Sequence, residues 1–112
     1  MNNLFVSIPS KGTDIITPFN SIIYCKAEGS YTTIYFENQE PIIVSKRLKL
    51  VHQALREQSF IRCHRSHLIN LNHIISIRNT EVYLTNNIIL PIAFRKSKEV
   101  KQHVKRCFCK IA

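Results

Sequence analysis

Apolar residues recur along this chain at two different intervals, and each interval predicts its own kind of element. Short β-branched and aromatic segments come first: residues 4 to 8 (LFVSI), stopped by Pro9, Lys11 and Gly12; then Ile22 to Cys25, inside a stretch punctuated by Pro18 and Asn20; then residues 31 to 36 (YTTIYF). Glu28-Gly29-Ser30 reads as a turn, so the last two segments should form a hairpin. Glu37-Asn38-Gln39-Glu40 makes a second polar turn, leading into the strand PIIV at 41 to 44. Here the period changes. Leu48, Val51 and Leu55 describe one apolar stripe of a helix from about Lys46 to Gln58, with Ser45 as its N-cap. The shorter interval returns in IISIR (74 to 78), EVYLT (81 to 85) and IILPI (88 to 92). Asn79-Thr80 and Asn86-Asn87 separate these runs, which predicts a β-meander with Pro91 near a strand end or on an edge. From about Ser97 a helical period resumes through Val100, Val104, Cys107 or Phe108, and Ile111. Glu99 lies early in that helix and Arg106 and Lys110 late, as the macrodipole favours. The expected fold is mainly β with two helices, one domain over residues 1 to 112, without repeats or linkers.

The remaining stretch, FIRCHRSHLINL from Phe60 to Leu71, mixes the two kinds of residue. Phe60, Ile61, Leu68, Ile69 and Leu71 can anchor it on a core, while Arg62, His64, Arg65, Ser66, His67 and Asn70 project outward as a comb of donors. Such a comb suits a polyanion whose edges must also be read.

Charge strengthens that picture. The formal net charge is +9. Between Pro41 and Asn79, Lys46, Arg47, Lys49, Arg56, Arg62, Arg65 and Arg78 face Glu57 alone. From Arg95 onward seven more basic residues face Glu99 alone, whereas all other positions together are acidic. A split of this kind is what a nucleic-acid footprint produces, the alternative being lysines scattered for solubility. Lys46 and Arg47 also flank the first helix start, where amide groups favour an anion. Lys101, Lys105 and Arg106 read as a solvated helix face. A chain of 112 residues, 45% of them hydrophobic and only two glycine, is long enough to bury about two-thirds of its unfolded surface. No apolar run approaches the ~20 residues of a membrane span, and the N-terminus lacks a signal-like pattern, so a cytoplasmic location is expected.

Other chemistries fit less well. Cys25, Cys63, Cys107 and Cys109 lack the spacing of a disulfide scaffold and read as small core or rim thiols. Cys63, His64 and His67, with Cys107 and Cys109, raise a zinc reading, but residues 107 and 109 of a helix point nearly opposite ways. Cys63 beside arginines raises a second idea, a thiol of lowered pKa open to oxidation. Asp14 is the only aspartate, and neither a carboxylate pair nor a Gly-rich phosphate loop is present, so no enzyme is expected. The enzymatic rival is a His-metal nuclease on His64, His67, Asn70 and His73. A third class is an RNA-binding module using Tyr31, Thr33 and Tyr35 as a stacking strand.

The residues also carry a family likeness. IIYCKAEGSYTTIYF is similar to the opening hairpin of LytTR-type DNA-binding domains of bacterial transcription regulators. Phe60, Arg62, His64, Arg65, Ser66 and Asn70 resemble that family's Phe-x-Arg-x-His-Arg-Ser-x-x-x-Asn signature, and VYLTNNIILPI resembles its closing meander. The resemblance implies an elongated antiparallel β fold that reads duplex DNA through loops in successive major grooves, without catalysis or cofactor. It implies base contacts by Tyr31, Arg65 and Arg95, and backbone contacts by Lys46, Arg47, Ser66 and Lys96, with His64, His67, Asn70 and Asn72 as further backbone candidates. Arg62 either orients the comb or touches DNA. The resemblance also implies paired, bent promoter sites and a receiver, sensory or membrane partner, supplied in trans if this is a free-standing domain. Where many relatives carry Ser before the last basic loop, this chain has Ala93-Phe94.

Overall fold

A computed structural model of the chain describes residues 5–55 and 59–108. Its N-terminal ribbon pairs β1 (Phe5–Ser10) with β2 (Thr13–Pro18) in an antiparallel register from Phe5 opposite Pro18 to Ser10 opposite Thr13. Alternation along β1 buries Val6 and Ile8. The expected stop at Pro9 does not occur, because among the described residues β1 pairs with β2 alone and an edge strand tolerates a residue without an N–H. β2 itself was hidden by Pro18, which turns out to be its last residue rather than a break within it.

A five-stranded antiparallel sheet forms the middle layer: β3 (Ile22–Glu28), β4 (Tyr31–Phe36), β5 (Ile42–Val44), β6 (Phe60–His64) and β7 (His67–Asn70), in spatial order β5-β4-β3-β7-β6. The expected hairpin of β3 with β4 is present, and its turn uses Gly29 at φ 65, a left-handed conformation that glycine adopts without a Cβ penalty. β8 (Ile74–Arg78), β9 (Glu81–Leu84) and β10 (Ile88–Pro91) make the meander, in order β10-β9-β8, as the alternating runs predict. Asn79, Asn86 and Asn87 take positive φ in its turns, a conformation asparagine tolerates better than most residues.

Two apolar clusters lie on the two faces of the middle sheet. One joins Ile8, Cys25, Ile34, Val44, Phe60 and Leu68 to Leu48 and Val51 of the helix α1 (Leu48–Ala54). The other joins Ile23, Ile61, Cys63 and Ile69 to Val82, Leu84 and Leu90 of the meander and to Val100 of the helix α2 (Ser97–Phe108). Each fully buried Ile or Leu contributes about 1.5–3 kcal/mol. Covered on both sides, β7 is buried at all four positions, polar His67 and Asn70 included. The principal extents are 42 × 36 × 23 Å, nearly twice as long as thick.

α2 starts at Ser97 as expected, but α1 is shorter than its apolar stripe implies. It begins at Leu48 with Arg47, not Ser45, in the N-cap position, because the Thr32 hydroxyl donates to the Lys46 carbonyl at 2.7 Å and holds that segment off the helix path. Leu55 is already extended, and Arg56 to Gln58 lie outside the described residues. No helix among the described residues is long and apolar enough to cross a membrane.

Candidate nucleic-acid interface

One end of the middle sheet gathers most of the chemistry-bearing residues. The β3–β4 turn lies beside the β6–β7 turn, fixed by an Ala27 N–H that donates to the Ser66 carbonyl at 2.8 Å. On the other side, Thr32 pairs with Val44, and its bond to the Lys46 carbonyl continues the row past β5. Across this end the chain therefore presents Lys46, then Tyr31, then Glu28, then Arg65 and Ser66. Strand spacings of about 4.8 Å put the two ends of that row about 14 Å apart. Tyr31 is 53% exposed, and Arg65 and Arg47 are exposed as well.

Beyond β6 the row extends through a third segment. The Ala93 N–H donates to the Cys63 carbonyl at 2.9 Å, which docks the single 3-10 turn Phe94–Lys96 against the sheet edge. Arg95 and Lys96 then face Arg62, His64 and Arg65 across an open groove of about 540 Å³, with Ala93 in its wall. Of the two roles open to Arg62, orienting the comb is the one its geometry serves: half-buried, it donates from Nη2 to the Arg65 carbonyl at 2.7 Å and so braces the turn that holds Arg65 out. His64 accepts the Ser66 N–H at Nδ1, 3.2 Å away, bracing the same turn from the other side. Among the described residues no acidic side chain lines the groove.

A separate groove of about 300 Å³ is lined by Lys46 together with Ser10, Lys11 and Ser45. Lys11 is a candidate that sequence reading passed over. Its signal in the sequence is a Lys-Gly pair between two apolar runs, a pattern that equally marks the end of a strand.

Three candidates depart from the row. Asn70 is 0% exposed; its Nδ2 donates to the carbonyls of Phe19 (3.1 Å) and Ile22 (2.9 Å), and its Oδ1 accepts the Asn72 N–H at 2.9 Å. No part of it can reach a phosphate, because a central strand covered on both faces leaves its polar residues only internal partners. Asn72 is exposed but stands past the opposite end of β7 from Arg65, where its amide donates to Asn20 Oδ1 at 2.8 Å. His67 is 9% exposed, packed between the rings of Tyr24 and His64. Burial, then the neighbouring His64 and Lys26, push its pKa down to about 4, so it brings no positive charge to a phosphate at neutral pH. Cys63 is likewise not an activated thiol. Burial pushes it up to about 12 despite Arg62 and Lys96, and its Sγ donates to the Pro91 carbonyl at 3.7 Å.

The rival sites do not assemble. His73 spends both ring nitrogens on Thr85 Oγ1 (2.9 Å) and the Asn20 carbonyl (2.6 Å), far along β7 from His64, so the nuclease quartet is dispersed. Among the described residues no three His, Cys, Asp or Glu side chains gather as a metal site; Cys109 lies outside them. Of the stacking strand, Thr33 is buried and Tyr35 is already stacked on Tyr24 at 4.5 Å and 6°, which leaves Tyr31 alone to offer a ring.

Comparison with known proteins agrees with this architecture. A LytTr DNA-binding domain from Bacillus cereus superposes with a TM-score of 0.72 over 92% of this chain and 98% of that one, at 23% identity, a likeness of fold. The transcriptional regulatory protein YpdB of Escherichia coli K12 is 32% identical over 97 residues, covering 79% of this chain and 38% of that protein. The YpdB of Shigella flexneri aligns to the same extent. This chain thus spans well under half the length of those relatives. The sequence model of LytTr DNA-binding domains matches residues 13–105, from β2 through most of α2, and the chain belongs to that family.

Proposed function

We propose that this chain, acting as a single domain, recognises specific sequences in double-stranded DNA as the DNA-binding part of a transcription regulator. The observation that carries the proposal is the groove lined by both Arg65 and Arg95, each held out by backbone bonds to the sheet. An arginine so placed can bond guanine O6 and N7 bidentately, and a major groove about 12 Å wide admits both turns. Arg65 and Arg95 therefore enter one major groove, a closer arrangement than successive grooves, which repeat only every ~34 Å along one face of the duplex. Tyr31, two strand spacings or about 10 Å along the row, meets a base edge roughly three base pairs away. Lys46, Arg47, Lys11, Ser66 and Lys96 hold phosphates on either side, and His64 braces the turn between them. A module elsewhere in the protein, or a partner in trans, would govern when promoter sites are occupied; the length of the curated relatives supports that reading.

Site selection from a random duplex pool tests the assignment. Arg65→Ala and Arg95→Ala should each cost about 1–3 kcal/mol of specific binding and relax preference at one position. The two relaxed positions should lie within a few base pairs. Unchanged discrimination in Arg65→Ala, or relaxed positions a full turn apart, would defeat the proposal.

A further inference from the structure

Phe94 is 83% exposed, on a loop rather than on the outer face of a strand. Its exposure does not come from a slack backbone. Ala93 before it is bonded to Cys63, Lys96 after it donates its N–H to the Ala93 carbonyl at 2.8 Å, and Ser97 Oγ donates to the Asn79 carbonyl at 2.8 Å. The ring is thus held in water between Ala93 and Arg95, two residues that line the cationic groove. An aromatic side chain fixed there forgoes its burial until something covers it.

The surroundings say what the cover is. Phe94 stands between two of the residues that line the groove, Ala93 and Arg95, so a partner seated there meets Arg65, Arg95 and Lys96 and lies beside Phe94. An apolar protein surface would strip water from three cations without pairing them, which is costly. A duplex major groove answers both needs, with acceptor edges and phosphates for the cations and the thymine C5-methyl for the ring. Successive Cα atoms are about 3.8 Å apart, close to the ~3.4 Å step between base pairs. A methyl met by Phe94 must then lie within one or two base pairs of the base met by Arg95.

We infer that Phe94 is a specificity-determining residue that packs on a thymine methyl in the major groove beside the base pair read by Arg95. The inference rests on the base-reading proposal above, and its test separates the two. In the duplex recovered by the wild-type protein, each thymine is replaced singly by deoxyuridine, which removes the methyl and nothing else. Dissociation constants are then measured for wild type, Phe94→Leu and Phe94→Ala, with sedimentation and thermal unfolding to confirm unchanged assembly and folding. At one position, within two base pairs of the preference relaxed by Arg95→Ala, deoxyuridine should weaken wild-type binding about fourfold, the worth of one buried methyl-sized group. Phe94→Ala should bind both duplexes equally at that position, and Phe94→Leu should retain part of the difference. Uracil effects identical in wild type and Phe94→Ala overturn the inference, as does a variant that alters self-association but not DNA affinity. Recovery of no motif by the wild-type protein overturns both readings; a clear motif with no methyl coupled to Phe94 overturns only this one.

Discussion

An asparagine amide suits a phosphate oxygen and a backbone carbonyl equally well, so the identity of Asn70 says nothing about which one it meets. Its position decides. Both amide hydrogens are spent on the carbonyls of Phe19 and Ile22, tying β7 to the entry of β3 across more than forty residues of chain. Asn70→Ala removes both of these bonds, leaving the Phe19 carbonyl only the Ile22 N–H, and each buried bond lost costs about 1–3 kcal/mol. Denaturant unfolding should therefore show a drop of about 2–4 kcal/mol in stability, while the salt dependence of DNA binding by the folded fraction stays unchanged. A variant that kept its stability but lost one unit of salt slope would return Asn70 to the phosphate-contacting set. Arg65, Tyr31 and Arg95 are matched to base-reading positions by the family resemblance alone, but their exposure could be read from the turns beside them. The burial of Asn70 and His67 could not, since the alternation of inward and outward residues fails on a strand that is covered on both faces.

Turns and strand ends show a similar division at the scale of elements. The β3–β4 and β8–β9 hairpins were readable because glycine and asparagine marked turns between alternating runs. The β1–β2 ribbon was not, because its two prolines lie within paired strands, one next to the end of β1 and one at the end of β2. The α1 boundaries depended on Thr32, fourteen residues upstream of the carbonyl it captures, a contact that no local pattern announces. Gly29 is where an element sets the position of a functional side chain. A Cβ there would meet nothing within 4 Å, so space is no obstacle, but φ +65 strains any L side chain. Gly29→Ala should cost about 1–2 kcal/mol in equilibrium unfolding, and Gly29→Asn distinctly less, since asparagine visits this conformation more readily. Equal losses for the two substitutions would point to a steric cause that the open surroundings of Gly29 do not contain.

For the molecule as a whole, the placement of charge matters more than its sum of +9. Lys46 and Lys11 share a groove at the row that ends in Arg65, whereas Lys105 stands on α2 beside a separate groove lined by Ile74, Ile75 and Val104. A helix rises about 1.5 Å per residue, so Lys105 is carried roughly 13 Å beyond Lys96 along α2. Release of condensed counterions counts only the cations that reach phosphates, each adding about 0.9 to the slope of log affinity against log salt. Lys46→Ala and Lys11→Ala should each flatten that slope by about one and weaken all duplexes alike, leaving the preferred sequence intact. Lys105→Ala removes the same formal charge from the protein, yet it should leave the slope where it was. Binding titrations between low and physiological salt on one specific and one scrambled duplex decide between these outcomes. Equal flattening by all three substitutions would mean that the protein is held by its overall positive field, and the sheet-end row would lose its claim to be the docking surface.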